Sequence, residues 1–571
     1  MTTDVAARRR ELLRKRLEAG GLAHREIASA APTRGDRECT PLPIAAQRLW
    51  FAGQRNPDDA SLNVSVAFDL RGALDADRLR AAFSAVVANH ETLRARYRAD
   101  DAGKPVMEHR VGGDVAWETT DLRDLSESAA QRRVQVLAAR EARTPFLLES
   151  EAPLRVSLLA LGGDDGVDHH VLLLTVHHVA WDDDSWQVLF HELAAAYRGD
   201  ALPAANRQYA DIPDPTAAQV DADLAYWSQV LTPAPEPLDL PAAGARGGSG
   251  RAHRPLDAEI ERTAAELART RGTTVFAVLV AATQAFLHRV YGADDVVLAV
   301  PTTVRPAGAE NLIGYFGNSV LLRGAVNATV SLTSLIDASR ESLAAGLGAG
   351  RAPIDQVVAA VADDRREGLA GLVSASLSLR RDLAGLELDG ITAEHLDHLH
   401  APNAQLPLEF AVVSGTRPIL ELQYAAHRFD AAEAETLLAA YATFLADALT
   451  HPDRPIRDDR LLDAAALAAA VAAAAGPAVP DRPDTLVGMF AAAVATRPDH
   501  PAVVSDHRSL TYAELDAAST GLARQIASEA GATLGQSDAV VALRMSAGED
   551  FVVAALAVMK AGAAYLPVDP E

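Results

Sequence analysis

Val171-Leu-Leu-Leu-Thr-Val-His-His-Val-Ala-Trp-Asp-Asp-Asp-Ser-Trp186 is the most informative stretch of the chain. Its first six residues are β-branched or leucine, which is typical of a buried strand, and the polar residues that follow predict a loop at its end. Successive strand residues face opposite sides, so His177 and His178 are predicted to have different roles. One ring is expected to face a cavity as a base or hydrogen-bond partner, while the other packs inward and Asp182 pairs with a buried cation. The pattern indicates an acyl-transfer active site.

Two other interpretations of these histidines are open. Paired histidines beside a strand are often packing residues with satisfied hydrogen bonds. A metal site is the second interpretation, because Asp168, His169 and His170 stand just upstream. A strand rises about 3.3 Å per residue, so the two histidine pairs would lie more than about 20 Å apart along a continuous strand. We therefore predict no metal here.

The composition indicates a multidomain globular protein. The chain has 571 residues, of which 49% are apolar and 23% charged, and a prior of about 150 residues per domain predicts three or four compact units. A net charge of −24 argues against a nonspecific nucleic-acid binder, which needs a basic surface. Cys39 is the only cysteine, so neither a disulfide framework nor a cysteine metal site is expected. No secretory or membrane-spanning segment is visible, and we expect a cytoplasmic protein.

Pattern and composition divide the chain into five segments. Residues 1–40 contain a short basic helix, expected from Ala7 to Ala19, and form a linker or docking segment. Residues 41–218 and 219–456 mix helical and strand patterns and are expected to form two α/β lobes. Residues 457–483, alanine-rich and then proline-containing, are expected to form a linker, and residues 484–571 are expected to be the beginning of a further domain that looks truncated. Helices are expected at 75–88, 221–231, 259–290 and 430–449, and a strand at 296–300.

Five blocks follow one another in the order found in condensation domains of nonribosomal peptide synthetases, and most of the chain resembles that family. The family's blocks read SxAQxRLW, RHExLRTxF, HHxxxDG, IGxFVNTxxxR and, more weakly matched here, PFExV. The corresponding text is Pro43-Ile-Ala-Ala-Gln-Arg-Leu-Trp50, Asn89-His-Glu-Thr-Leu-Arg-Ala-Arg-Tyr97, His177–Asp182, Leu312-Ile-Gly-Tyr-Phe-Gly-Asn-Ser-Val-Leu-Leu-Arg323 and Arg351-Ala-Pro-Ile-Asp-Gln-Val357. Residues 510–515 and 559–570 resemble the first two blocks of an adenylation domain, which usually follows a condensation domain.

The resemblance implies a fold and a reaction. The fold is a V-shaped pseudodimer of two chloramphenicol-acetyltransferase-like lobes, with the HHxxxD loop midway along a tunnel between them. Two carrier proteins present thioesters on phosphopantetheine arms, and the acceptor's amine attacks the donor's carbonyl to form an amide bond. The donor carrier is expected to act in trans, because no carrier text precedes the first block, and the acceptor carrier is expected downstream. No covalently bound cofactor, nucleic acid or membrane is expected.

The resemblance also implies roles for individual residues. His178 is expected to orient the acceptor amine or to take its proton as the tetrahedral intermediate forms. His177 and Asp182 are expected to be structural, and Arg305 is the expected cation for Asp182. Supporting roles are expected for Asp183, Ser185, Trp186, Asn318, Arg48 and Arg94. Asn318 is expected to be available for hydrogen bonding, and for the arginines an ion pair at the surface or between the lobes is an equal alternative.

Asp183 stands where the family usually has glycine. Glycine reaches backbone angles that a side chain resists, and a second carboxylate beside Asp182 adds negative charge. Asp183 is therefore a harmless variant, an adaptation to an unusual substrate, or the mark of a related domain that has lost peptide-bond activity and recruits another protein. Two rival enzymes share the HHxxxD core. An epimerization domain is disfavoured by the first and fourth blocks, and a stand-alone acyl-CoA transferase by the adenylation-like text.

Overall fold

The computed structural model describes residues 38–110, 114–162, 168–204, 207–244, 247–361, 368–383, 385–399, 403–415, 418–475, 485–531 and 539–570. The basic helix expected from Ala7 to Ala19 lies outside the described residues, as do residues 476–483 of the expected linker. The chain divides into two compact units, Met1–Ala465 and Ala466–Glu571.

The first unit alternates helices and strands, as expected for α/β lobes. Its strands are β1 (Cys39–Pro41), β2 (Asn63–Arg71), β3 (Arg96–Ala99), β4 (Pro105–Glu108), β5 (Ala116–Asp121), β6 (Leu154–Leu161), β7 (His169–His177), β8 (Ser249–Pro255), β9 (Asp295–Thr303), β10 (Gly317–Ala325), β11 (Ala375–Arg381), β12 (Thr392–His395), β13 (Leu408–Ser414) and β14 (Ile419–Ala425). Its helices are α1 (Ile44–Arg55), α2 (Ala76–Asn89), α3 (Glu127–Arg143), α4 (Asp183–Arg198), α5 (Ala217–Val230), α6 (Ala258–Thr270), α7 (Val275–Tyr291), α8 (Leu332–Gly348), α9 (Ile354–Val361) and α10 (Ala431–Thr450).

β7, the strand that ends at His177, lies at the centre of a five-stranded sheet with the order β12-β2-β7-β6-β5. Both faces of this strand are buried. Leu172 and Leu174 pack against α2 and α4 on one face, whereas Val171 and Leu173 pack against α3 on the other. A strand covered on both faces reads as a continuous apolar run rather than as an alternating one. This explains why the text from Val171 to Val176 before the histidines is an apolar run with Thr175 as its one polar residue.

The second sheet of the unit has six strands in the order β10-β9-β11-β13-β14-β8. Helices α6, α7, α8 and α10 cover one face and form the largest apolar core of the described chain. On β14, Leu420 and Leu422 point into that core, and the alternating residues Glu421 and Gln423 lie on the opposite face. Glu421 is nevertheless buried, because arginines from β8 and β11 pair with its carboxylate. β1, β4 and β3 form a separate small sheet.

Two features of the first unit differ from the sequence-based expectation. Residues 259–290 were expected to form one helix, but they form α6 and α7, because Gly272 takes a left-handed φ of +62° and Thr274 caps the second helix. In addition, β12 comes from the second expected lobe, yet it pairs antiparallel with β2 in the sheet of the first. The second lobe therefore contributes one strand to the sheet of the first lobe.

The second unit has α12 (Leu486–Thr496), β15 (Pro501–Val504), β16 (Ser509–Thr511), α13 (Tyr512–Ala530), β17 (Val540–Arg544), α14 (Glu549–Lys560) and β18 (Ala564–Val568). A further helix, α11 (Ala464–Ala474), forms inside the stretch expected to be a linker. Alanine has the highest intrinsic helix propensity, which explains why this alanine-rich stretch is helical although a linker was expected. In the part of the chain that the structure describes, no single helix is long and apolar enough to cross a membrane. The pair α6 and α7 meets that test of length and composition only when the two are joined across a 110° bend.

Candidate active site

The site is built where β7 passes into α4. The strand ends at His177, a single 3₁₀ turn spans His178–Ala180, and Asp182 caps α4. The caps are reciprocal: the Asp182 carboxylate accepts from the Ser185 backbone N–H at 3.1 Å, and the Ser185 hydroxyl accepts from the Asp182 backbone N–H at 3.5 Å. The Ser185 hydroxyl also donates to the Asp182 carboxylate at 2.7 Å. A capping box of this kind satisfies the first free N–H groups of a helix. The turn that carries His178 is thus held at both ends, by the sheet and by the cap.

His178 has one ring nitrogen fixed by the backbone. Its Nδ1 lies 2.6 Å from the carbonyl oxygen of Trp181, and a carbonyl only accepts, so Nδ1 carries the hydrogen. In the neutral ring Nε2 is then left with its lone pair. Burial lowers the pKa of His178 and outweighs the opposing effects of the Trp181 carbonyl and of Asp183. The site therefore holds a neutral imidazole whose Nε2 can accept a proton or a hydrogen bond.

His177 has a different environment. Its Nδ1 accepts from the backbone N–H of Val179 at 3.1 Å, and the ring of Phe146 meets its edge at a centroid distance of 5.9 Å. The residue is 5% exposed, and burial lowers the pKa of its ring to about 3. A ring that stays neutral and is used to fix the turn cannot exchange protons near neutral pH. This geometry supports the structural role expected for His177.

Asp182 joins α4 to the segment between β9 and β10. Its Oδ1 lies 2.6 Å from Nη2 of Arg305, and its Oδ2 accepts from the backbone N–H of Phe316 at 3.3 Å. Both side chains of the ion pair are nearly buried, at 11% and 6% exposure. Burial raises the pKa of Asp182, and the guanidinium of Arg305 counteracts it. The carboxylate thus links the first lobe to the second.

Arg305 is itself held by its own loop. Its Nη1 donates to the carbonyl oxygens of Ala309 at 2.8 Å and of Leu312 at 2.6 Å, and its guanidinium lies 4.2 Å above the ring of Phe316. The planar fork of arginine suits this combination of donors and stacking. A lysine would supply the charge without the geometry.

Asp183 is the first residue of α4 and is exposed. No non-glycine residue in the described ranges has a positive φ, so the backbone at Asp183 requires no glycine. An acidic side chain in the first turn of a helix is favourable. Asp184 lies 3.6 Å from Nε of Arg305 and is also exposed. The departure from the family's glycine therefore leaves the loop's shape intact and changes its charge.

The remaining expected site residues fall into two groups. Ser185 is fully buried and its hydroxyl also contacts the backbone of Gly314, while Trp186 packs on Trp181 with a centroid distance of 4.6 Å. Arg48 also reaches the site and donates to the hydroxyl of Tyr315 at 2.5 Å. These residues form the walls around the turn.

Asn318 and Arg94 do not act on the turn. The amide of Asn318 donates to the carbonyls of Gly350 and Ala352, each at 2.8 Å, and accepts from the N–H of Ile354 at 3.1 Å. The hydrogen bonding expected of Asn318 is directed at the backbone of the following loop, which occupies its donors and its acceptor. Arg94 donates to the backbone of Arg110 and lies near Glu91.

Two tyrosines of the site were missed by the sequence analysis. The ring of Tyr315 meets the imidazole of His178 edge-on, with centroids 5.1 Å apart and planes at 86°. Tyr209 donates from its hydroxyl to the carbonyl of Tyr315 at 2.6 Å, and its ring covers Gly314 so closely that a Cβ there would meet it at 2.5 Å. The text Gly314-Tyr-Phe is the available signal, since a glycine before two aromatics suggests close packing. The partner, Tyr209, is 105 residues away and leaves no such signal.

Comparisons with known proteins agree with this geometry. Residues 38–469 match the condensation domain family, and residues 490–571 match the AMP-binding enzyme family. Surfactin synthase subunit 1 of Bacillus subtilis is 28% identical over an alignment of 548 positions, which covers 94% of this chain and 15% of that protein. Phosphinothricin tripeptide synthetase PhsC of Streptomyces viridochromogenes is 29% identical over an alignment of 617 positions, which covers all of this chain and 54% of that protein. The chain therefore spans about half or less of these relatives.

Solved structures share the fold. A four-domain nonribosomal peptide synthetase bound to AMP and glycine is 20% identical, with a TM-score of 0.71 over 95% of this chain and 42% of that one. The X-domain from teicoplanin biosynthesis is 25% identical, with a TM-score of 0.64 over 76% of this chain and 99% of that one. With the family match over residues 38–469, these likenesses show that the chain belongs to the condensation domain family of nonribosomal peptide synthetases and continues into the start of an AMP-binding domain.

Proposed function

We propose that this chain forms an amide bond by bringing the amine of an acceptor aminoacyl thioester to the carbonyl of a donor acyl or peptidyl thioester. The observation that carries this proposal is the state of His178: a half-buried neutral ring with Nδ1 bound to the Trp181 carbonyl and Nε2 able to accept. Each substrate is presented on the phosphopantetheine arm of a carrier protein, the donor carrier in trans and the acceptor carrier downstream. The chain belongs to a family whose members work with such carriers.

The reaction requires little of the protein beyond the positioning of the two substrates. An α-amine has a pKa near 8, so a share of it is already neutral at physiological pH, and a thioester is an activated acyl donor. The amine nitrogen bonds to the carbonyl carbon, the carbon–sulfur bond breaks, and the proton lost by nitrogen passes by way of His178 Nε2 to the departing thiolate. Orienting the reactants can supply several kcal/mol of the barrier reduction, and proton transfer through His178 adds to it.

The other residues would act by holding His178 in place. His177 fixes the turn through Val179, and Asp182 with Arg305 ties the turn to the second lobe. Ser185 and Trp186 complete the support, since both are buried against the same segment. In this proposal residues 41–218 form the first lobe and residues 219–456 form the second lobe. No ATP chemistry is proposed for residues 484–571.

The test is transfer between carriers. A donor carrier loaded with an acyl or peptidyl thioester and an acceptor carrier loaded with an aminoacyl thioester are mixed with the protein, and both carriers are followed by intact mass. Acyl transfer to the acceptor amine is expected, and His178→Ala should reduce it about 10²- to 10⁴-fold. His191→Ala is the matched control, because His191 lies exposed on α4 and should leave the rate unchanged.

Other outcomes identify the rival functions. Loss of an α-deuterium from one loaded carrier without transfer would indicate epimerization. Absence of transfer across a broad donor set, together with retained binding of another protein, would indicate a recruitment platform. The X-domain from teicoplanin biosynthesis, which is similar to this chain, is known in a complex with OxyB. Either result would overturn amide-bond formation as the function.

A further inference from the structure

We propose that Tyr315, anchored by Arg48, is a positioning residue that fixes the imidazole of His178. This inference rests on the proposed function for its kinetic consequence, but its structural content concerns the ring alone. Tyr315 lies in the block Gly314-Tyr-Phe316, on the segment between β9 and β10, whereas Arg48 lies on α1. The two residues thus reach His178 from different parts of the first unit.

His178 has two contacts that define its orientation. Nδ1 is bound to the carbonyl of Trp181 at 2.6 Å, which holds one edge of the ring. The ring of Tyr315 stands nearly perpendicular to the imidazole, at 86°, with centroids 5.1 Å apart. An edge-to-face contact at this distance is favourable and sterically blocks the ring from swinging toward it. The direction of Nε2 therefore depends on Tyr315.

Tyr315 is itself fixed at both ends. Its hydroxyl accepts from Nη2 of Arg48 at 2.5 Å, and its backbone carbonyl accepts from the hydroxyl of Tyr209 at 2.6 Å. The residue is 4% exposed, so little solvent reaches it to compete for these hydrogen bonds. A hydrogen bond to a charged donor is stronger than one between neutral groups. The phenol is thus a rigid wall rather than a mobile side chain.

The same contact controls the charge near His178. The charged or titratable groups that face the ring are Arg48 from α1, Asp182 and Asp183 at the start of α4, His177 on β7 and the phenol of Tyr315. Arg48 lowers the pKa of His178, while Asp183 raises it. Because the Tyr315 hydroxyl holds the guanidinium in place, loss of that hydroxyl should let the positive charge move away. The pKa of His178 would then rise.

The experiment separates the ring from the hydroxyl. The full chain is labelled with ¹⁵N-histidine, and the tautomer and titration of His178 are read by NMR, with assignment from His178→Ala. Tyr315→Ala removes the wall, so the parent's single Nδ1–H tautomer should be replaced by averaged nitrogen shifts, and carrier transfer should fall about 10²-fold. Tyr315→Phe keeps the wall and the tautomer, should raise the pKa of His178, and should slow transfer about fivefold to tenfold.

Tyr291→Phe is the matched control, because Tyr291 is partly buried at the end of α7 and should change neither readout. The transfer rate of each variant is divided by that of the parent at every pH. The substrate amine titrates in the same way in both assays, so its effect on the rate cancels in this ratio. An unchanged tautomer in Tyr315→Ala, or an unchanged His178 titration in Tyr315→Phe if the alanine variant fails to fold, would overturn the proposal. If the parent itself transfers nothing, the proposed function fails, and the NMR readouts still decide the role of Tyr315.

Discussion

Replacing Asp182 by asparagine tests whether the ion pair with Arg305 joins the two lobes. The substitution keeps the shape of the side chain but removes its charge, leaving the guanidinium of Arg305, only 6% exposed, with only the exposed carboxylate of Asp184, 3.6 Å from its Nε, as a counter-ion. Breaking one side of a buried ion pair costs about 3–5 kcal/mol. Asparagine also offers only one acceptor oxygen, whereas the two oxygens of Asp182 accept from Arg305, Ser185 and Phe316. We therefore expect the free energy of unfolding to fall by about 3 kcal/mol or more.

Urea unfolding followed by tryptophan fluorescence suits this measurement. All five tryptophans precede residue 465, so the signal reports on the first unit only, and Trp181 and Trp186 lie beside the substituted position. Asp200→Asn is the matched control, because Asp200 is 58% exposed and its pair with Arg198 should contribute less than about 1 kcal/mol. A cost below about 1 kcal/mol for Asp182→Asn would refute the argument, since the buried pair would then be no stronger than the exposed one.

Four further substitutions have distinct expected outcomes. Because burial lowers the pKa of His177 to about 3, the parent should lose stability as pH falls below about 6.5, and His177→Asn should lose less between pH 7 and pH 5 in urea unfolding. Burial would raise the pKa of Glu421, but two arginines bring it to about 2. In thermal unfolding the parent should therefore be more stable than Glu421→Gln above pH 4.5, and this difference in stability should disappear toward pH 2. Asn318→Ala should cost about 2–4 kcal/mol and speed hydrogen exchange in the loop that it holds. Asp183→Gly should lower the pKa of His178 in an NMR titration, and an unchanged pKa would contradict the charge effect assigned to Asp183.

Local patterns in the sequence predicted the elements that carry the site. The apolar run before His177 forms β7, and the polar residues after it form the turn and the cap of α4. Strand and helix periodicity act over a few residues, so they can be read from the chain directly. The single helix expected at 259–290 was wrong for a local reason as well, because Gly272 interrupts a pattern whose apolar spacing continues through it.

Contacts between distant residues were harder to predict. The pairing of Asp182 with Arg305 was expected only from the family resemblance, since no spacing rule links positions 123 residues apart. Tyr315 was missed because a tyrosine in an apolar block looks like core, and only the fold brings it against His178. The partners of the Asn318 amide were not predicted for the same reason, because all three lie more than 30 residues away along the chain.

Strand β12, which the second lobe contributes to the sheet of the first, limits where this protein can be cut or recombined. Residues 392–395 complete the sheet of the first lobe by pairing with residues 68–71 of β2. A fragment that ended near residue 218 would leave that edge of β2 without a neighbour, and an unpaired edge strand invites aggregation with other chains. Chimeric synthetases assembled by exchanging one lobe should therefore carry residues 392–395 with the first lobe, either by a second junction or by keeping both lobes from one parent.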